Sequence, residues 1–380
     1  MKQVFDELRQ RGKNYFEELR QTDTFPLVRG REVLFLYDAS SRPVKDVRLV
    51  HHVTTLDRAP KLEPVSGNGL RLLHLVLPSK ARLEYTYGVQ FEDGGSEIIT
   101  DPLNPIKAWC PFGPKSVVTT GEYKTPEWAV RREGIAAGTV TTHTIDSAVM
   151  KSSRTVCIYV PSLPPPAGGY PVLVIHDGTD YLDYAGIATV FDNLMAEAKI
   201  DPFVAVLSRP IERNDEYTCT PGHAAYVVTE LLPWVRRTFP VSSSRTDTGI
   251  MGSSFGAVAS VYAAHQYPEI LGKLLIQSGS FRFQDIVSTI SLFDPLDAFD
   301  RIKHFLETSF FPGGPAQSMR IYQSCGTFEP MIGYNRLFAR LMKKYGHSIV
   351  YRESHDGHNW ISWRDHLGDG LVYLFPPGRA

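Results

Sequence analysis

Thr248-Gly249-Ile250-Met251-Gly252-Ser253-Ser254-Phe255-Gly256-Ala257-Val258 joins a strand to a helix through a pentapeptide of the form G-x-S-x-G. Thr248 to Met251 reads as the strand, and Ala257 to Gln266 as a helix that stops near Pro268. The flanking glycines let the backbone turn sharply, so the hydroxyl of Ser254 stands exposed at the start of the helix. That is the setting of a serine nucleophile. Ser253 falls outside the elbow position and reads as structural. Phe255, the residue after the serine, can offer its backbone N–H to an oxyanion.

Outward from this turn, apolar strands alternate with helices. Thr155 to Val160 precedes a loop rich in proline and glycine, Pro161 to Gly169. Pro171 to His176, Phe203 to Leu207, Lys273 to Gln277, Arg320 to Ser324 and Ser348 to Arg352 complete the strands. Ile187 to Lys199, Ala224 to Arg237 and Leu337 to Tyr345 supply helices. This alternation predicts an α/β fold with a doubly wound, mostly parallel sheet over residues 135–380, and ligands at the carboxyl ends of its strands. Earlier in the chain the pattern differs. A helix is expected over residues 1–21, from apolar residues spaced near 3.6. Glu32 to Tyr37, Val47 to Val53, Leu70 to Leu77 and Arg82 to Phe91 read as short strands with no helical pattern between them, which predicts an all-β sandwich over residues 22–125. Asp101 to Pro105 and Pro111 to Pro114 are expected as its irregular exit.

Composition removes several classes of function. The chain has 380 residues, with 40 Lys and Arg against 41 Asp and Glu, so the basic excess of a nucleic-acid binder is missing. It is 43% hydrophobic and 21% charged, values of a globular protein rather than a disordered one. Cys110, Cys157, Cys219 and Cys325 are far apart and form no C-x-x-C pair, so neither a disulfide scaffold nor a zinc site is expected. The N-terminus lacks the apolar core of a secretory signal, and no run of about 18 apolar residues is present. A soluble, cytoplasmic protein with no membrane span is expected, of unknown oligomeric state.

With such an elbow, the catalytic partners follow in the order serine, acid, histidine. His358 lies in Ser354-His355-Asp356-Gly357-His358-Asn359, after the last strand, and is preferred to His355 because a glycine precedes it. Glu329 is the only carboxylate of the loop Cys325 to Pro330 and can accept the Nδ1–H of the histidine. Asp294, Asp297 and Asp300 are alternatives that precede the relevant strand, and a Ser254–His358 dyad is another. His176-Asp177-Gly178-Thr179 follows an early central strand, and the N–H of Thr179 is the second oxyanion candidate.

These motifs resemble the enterochelin (ferric enterobactin) esterases, within the esterase D-like branch of the α/β-hydrolases. The likeness rests on Leu173 to Gly178, Arg213-Asn214-Asp215-Glu216-Tyr217, Glu230-Leu231-Leu232-Pro233, Met251 to Gly256, Gln277-Ser278-Gly279-Ser280, Gly326 to Ile332 and Gly357-His358-Asn359-Trp360 with Trp363-Arg364. It covers residues 150–375 in order. A looser pattern ending in Asp101-Pro102-Leu103-Asn104-Pro105 is similar to the family's N-terminal immunoglobulin-like domain. The chain departs from the family at His176, often apolar, and at Asn359, commonly Asp.

The resemblance implies an α/β-hydrolase acting through Ser254, His358 and Glu329 on the trilactone backbone of catecholate siderophores, through an acyl-enzyme and with no cofactor or metal. The implied partner is a small-molecule ester. Asp177, Arg213, Glu216, Trp360 and Trp363 are the substrate-binding candidates, with the tryptophans walling an aromatic pocket and Arg209, Arg213 and Arg364 supplying positive charge. The same catalytic domain serves acetyl- and feruloyl-esterases and acyltransferases on sugars, which are the alternative. A non-catalytic binding protein with the hydrolase fold is the reading in another class.

Overall fold

Val172, Leu173, Val174 and Ile175 are all fully buried, yet they serve two different cores. Side chains alternate along a strand, so Val172 and Val174 join one apolar cluster while Leu173 and Ile175 join another. A strand buried on both faces needs helices on both, and that requirement organises the larger part of the molecule. The computed structural model describes residues 1–54, 56–57, 59–65, 69–282, 296–313 and 316–378. Asp294 lies outside the described residues.

The chain divides into two compact units. The first comprises Met1–Lys124 together with Gly326–Glu329 and Ser354–Asn359, and the second comprises the rest. The first unit opens with two helices, Lys2–Arg11 and Lys13–Thr22, in place of the single helix expected over 1–21. Gly12, at φ 55°, separates them in a conformation that a helix cannot continue through. Its strands are β1 (Leu27–Arg29), β2 (Glu32–Asp38), β3 (Val44–Val50), β4 (Glu63–Pro64), β5 (Leu70–Val76), β6 (Arg82–Phe91), β7 (Ser96–Ile99), β8 (Lys107–Cys110) and β9 (Gly113–Thr119). They form two antiparallel sheets, ordered β1-β2-β5-β4 and β3-β6-β9-β8, with β7 added to β6. Val33 and Phe35 of β2 share a core with Val47, Leu49, Tyr85, Tyr87 and Val89 of the other sheet. Of the two stretches expected as an irregular exit, Pro111 to Pro114 instead supplies the turn and the start of the second strand of the β8–β9 hairpin. Pro111 and Phe112 are its turn, between the paired Cys110 and Gly113, with Gly113 at φ 102°.

The second unit holds β10 (Thr139–Ser147), β11 (Ser152–Val160), β12 (Val172–Ile175), β13 (Val204–Ser208), β14 (Thr248–Ser253), β15 (Lys273–Gln277), β16 (Arg320–Gly326) and β17 (Ser348–Ser354) in one sheet. The order is β10-β11-β13-β12-β14-β15-β16-β17. The pairs from β13 through β16 are parallel, and β10, β11 and β13 are joined antiparallel. One face is covered by the helical run Pro221–Thr238 and by Phe255–Gln266 and Ile332–Lys344. The other is covered by Gly178–Ala185, Ile187–Ala196 and Trp360–Leu374. Tyr226–Leu231 and Leu306–Phe310 are π-helical, each just ahead of a proline, Pro233 and Pro312. Proline lacks the N–H of the α ladder, and the wider turn accommodates the loss. Among the described residues, no helix is long and apolar enough to cross a membrane.

Candidate active site

Ser254 links β14 to the helix Phe255–Gln266 at φ 56° and ψ −123°, a backbone conformation rare outside glycine. The turn is held because the Ser254 N–H donates to Gln277 O at 3.0 Å and its own carbonyl accepts from Ser280 N at 3.2 Å. Gly252 is required here: a Cβ on it would lie 2.4 Å from the carbonyl of Gly256. The Ser254 hydroxyl meets Ser280 Oγ at 3.1 Å. Ser280 lies in a stretch the sequence singled out, but its role as neighbour to the nucleophile comes only from the folded turn. Ser253 is fully buried at the end of β14, a structural position.

The loop after β12 packs against this elbow. A Cβ on Gly256 would lie 3.3 Å from Asp177 Oδ2, and one on Gly178 would run into the Leu207 backbone at 2.3 Å. Asp177 is left-handed, at φ 54°, and caps the helix that begins at Gly178. Phe255 and Thr179 both fall in the first turns of their helices. N–H groups there have no carbonyl partner within the helix and favour negative charge.

The candidate substrate-binding residues separate into two kinds. Arg213 clamps Asp177 with Nε at 2.9 Å and Nη2 at 2.7 Å, and its guanidinium lies 5.8 Å from the centre of the Phe255 ring. It does not pair with Glu216. That carboxylate is buried and accepts from Arg154 Nη1 at 3.0 Å, Ile211 N at 2.9 Å and Glu212 N at 3.0 Å, with His223 Nδ1 at 3.3 Å. Burial pushes its pKa up, but the bonds from His223, Arg154 and the backbone outweigh this and hold it well below the usual carboxylate range. Glu216 is therefore corrected from a substrate contact to an internal anchor. His223 continues to His176, Nε2 to Nε2 at 3.1 Å, and His176 reaches Ser260 at 2.9 Å. Burial and the neighbouring His223 keep His176 neutral.

Trp363 is also corrected. It is buried, and its Nε1 donates to Ser278 Oγ at 2.9 Å while its carbonyl accepts from Gln277 Nε2 at 2.7 Å. Trp360 is half-buried, with its ring 5.1 Å from Tyr181 and 6.0 Å from Tyr184. Of the three arginines expected to supply positive charge, Arg213 is paired with Asp177 and Arg364 with Asp365 at 2.7 Å.

Glu329 and His358 form a pair within the first unit. His358 Nδ1 donates to Glu329 Oε2 at 2.7 Å, and Glu329 Oε1 accepts from Gly326 N at 2.8 Å. The carboxylate is fully buried while the imidazole is 28% exposed. With Nδ1 committed as donor, Nε2 is the basic nitrogen. Phe328 is inserted into the core between the two N-terminal sheets, which seats Glu329. His355, the rival histidine, is exposed and contacts Thr327 Oγ1 at 3.0 Å. Asp297 and Asp300 lie on the helix Leu296–Phe305.

Sequence reasoning missed what holds the histidine loop. Arg82 of β6 donates its backbone N–H to His355 O at 2.9 Å. Its buried guanidinium reaches Asn359 Oδ1 at 3.0 Å, Asp356 Oδ2 at 3.5 Å and Glu84 at 2.8 Å. Asp356 is pushed up to about 6 by burial, against the pull of Arg82 and of donors from Asn359 and Gly357. A narrow cavity of about 20 Å³ beside His358 is lined by His52, Glu84 and Lys115 among others. Burial, Lys115 and His358 together push the His52 pKa down. The sequence showed only that Arg82 opens a strand.

Comparison with known proteins bears on the same residues. The profile of the family described as "Putative esterase" matches residues 147–374. The iron(III) enterobactin esterase of Dickeya dadantii (strain 3937) is 26% identical over 293 residues, 73% of this chain and 65% of that protein. That of Escherichia coli (strain K12) is 30% identical over 60% of this chain and 55% of its own length. The chain thus spans between a little over half and just under two thirds of these two relatives. Among solved structures, the ferric enterobactin esterase of Salmonella typhimurium superposes with a TM-score of 0.75 at 21% identity, over 90% of this chain and 93% of that one. A ferulic acid esterase superposes with a TM-score of 0.53 at 20% identity, over 63% of this chain and 97% of that one.

Proposed function

The chain belongs to the Putative esterase family, and from that premise we propose that it hydrolyses carboxylic esters with Ser254 as nucleophile, His358 as base and Glu329 as the acid that orients it. The observation that carries the reading is the 2.7 Å bond from His358 Nδ1 to the buried Glu329, together with the strained Ser254 elbow. In the first step His358 Nε2 accepts the Ser254 proton as Oγ attacks the ester carbonyl. The bond to the alcohol oxygen then breaks, and that oxygen takes the proton from His358 Nε2. Water repeats the sequence on the acyl-enzyme. The N–H groups of Phe255 and Thr179 hold the oxyanion, each worth about 3 kcal/mol. Asp177 and Arg213 fix the loop that presents Thr179, and Trp360 lines the substrate side.

The substrate we infer is the trilactone of a catecholate siderophore, because the two curated relatives described above are iron(III) enterobactin esterases. A feruloyl or acetyl ester of a sugar is the second reading, favoured by the likeness to a ferulic acid esterase. The N-terminal two-sheet unit is read as immunoglobulin-like, and the protein as cytoplasmic. The test is hydrolysis of a catecholate trilactone against feruloyl and acetyl sugars, followed by mass spectrometry, in wild type and Ser254→Ala. Trilactone cleavage by wild type alone is expected, with a fluorophosphonate label that Ser254→Ala loses. Preference for sugar esters would overturn the substrate. Labelling and turnover that survive in Ser254→Ala would overturn the nucleophile.

A further inference from the structure

Two cations stand side by side where the parallel strands begin. Lys273 is the first residue of β15 and Arg320 the first of β16, and the register pairs them directly. Like charges facing each other across neighbouring strands repel. Among the described residues, neither side chain has a hydrogen-bond or ion-pair partner. Their contacts are aromatic: Lys273 Nζ lies 4.1 Å from the centre of the Phe375 ring, and the Arg320 guanidinium 4.5 Å from that of Tyr373. Lys273 is 95% buried by the complement of its 5% exposure, and Arg320 Nε is buried with no acceptor.

Both side chains open into a cavity of about 340 Å³. Arg245, Thr246, Ser318 and Ser348 also line it, and among the described residues no carboxylate does. Arg245 is oriented toward the site by donating to Pro268 O and, at 2.9 Å, to Ser318 O. The nearby acids do not neutralise the cluster. Asp201 acts on Lys273, and Glu269 on Arg245, only through the field, without an ion pair. His347 faces Arg245 and is neutral in character, its pKa lowered by burial and that cation. Burial and Arg320 push the Lys273 ammonium down to about 8, as expected of a buried cation lacking an anion.

We propose that this cavity, at the amino ends of β15 and β16 and so at the opposite edge of the sheet from Ser254, binds the phosphate group of a small metabolite between Lys273, Arg320 and Arg245. A doubly charged oxyanion cancels the repulsion between the paired cations and gives the guanidinium an acceptor pair of matching geometry. The volume exceeds what a free phosphate fills and falls in the range of small-molecule sites.

Isothermal titration calorimetry on the full chain, at constant ionic strength, tests it with inorganic phosphate and with glycerol 3-phosphate. Saturable one-site binding is expected in wild type. It should weaken at least about tenfold in Lys273→Met and in Arg320→Met, and persist in Lys344→Gln, which removes the same charge from an exposed helix position. Tighter binding of glycerol 3-phosphate assigns the cavity to a phosphorylated metabolite and equal binding assigns it to the free ion; both support the site. If either variant fails to fold, wild type alone still decides. Affinity for sulfate, whose charge is constant, must fall as pH rises through about 8, where Lys273 loses its proton. No saturable heat up to about 10 mM phosphate, equal affinity in the variants, or a flat sulfate profile would each overturn the proposal.

Discussion

Glu329 carries the sharpest expectation at the scale of single residues. Its Oε2 accepts from His358 and its Oε1 from Gly326 N, so the carboxylate has one oxygen for the imidazole and one for its own loop. Glu329→Gln keeps the shape but places a donor or a weaker acceptor opposite Nδ1, which favours the wrong tautomer. We expect kcat to fall by about 10³ to 10⁴ with KM little changed. A rate within a few fold of wild type would leave a Ser254–His358 dyad. Ser254, Glu329 and His358 were legible because each follows a strand in the order an elbow requires. Glu216 and Trp363 were misread because their partners, Arg154 and Ser278, lie far away in sequence. A charge or an indole in a motif looks the same whether it faces a cleft or a core.

At the scale of the element, the strand–turn–helix around Ser254 depends on backbone proximity that no larger residue allows. Gly252→Ala would put a methyl 2.4 Å from the Gly256 carbonyl, and neither backbone can retreat without opening the turn. A loss of more than about 3 kcal/mol in urea unfolding is expected. Gly333→Ala is the control. It sits in the helix Ile332–Lys344 with nothing within 4 Å of its Cβ, and should be neutral or stabilising by up to about 1 kcal/mol. Equal stability of the two variants would refute the steric account of the motif. The strands of the parallel sheet were legible as apolar runs. β10 and the β8–β9 hairpin were not: most of β10 is solvent-exposed, β8 has only four residues, and β9 opens with Gly113-Pro114-Lys115-Ser116.

At the scale of the whole molecule, the first compact unit gains two short segments from late in the chain. Gly326–Glu329 and Ser354–Asn359 are covalently part of the α/β region, yet they group with residues 1–124. Phe328 and the Arg82–Asp356–Asn359 cluster account for this. The cluster has a measurable pH signature. Asp356 has its pKa raised to about 6, above the unfolded value, so the folded chain holds a proton there that the unfolded chain releases. That group contributes stability at pH 4, and the contribution is lost as pH rises toward 6. Relative to Asp356→Asn, wild-type stability should therefore fall by about 2 to 3 kcal/mol between pH 4 and pH 7. A constant difference between the two proteins over that range would show that Asp356 ionises normally.

The amino-acid sequence by itself determined the alternation of strands and helices, the elbow that presents Ser254, and the order of the candidate catalytic residues. These depend on local periodicity and on glycines at fixed spacing, which act over a few residues. Only the tertiary structure decided that Glu329 and His358 meet, that Arg82 holds the His358 loop, that Glu216 and Trp363 are internal, and that Lys273 and Arg320 face each other. Each of these is a contact across tens or hundreds of residues. Burial converts such a contact into a strong electrostatic or steric constraint, and burial is a property of the packed chain rather than of any segment within it.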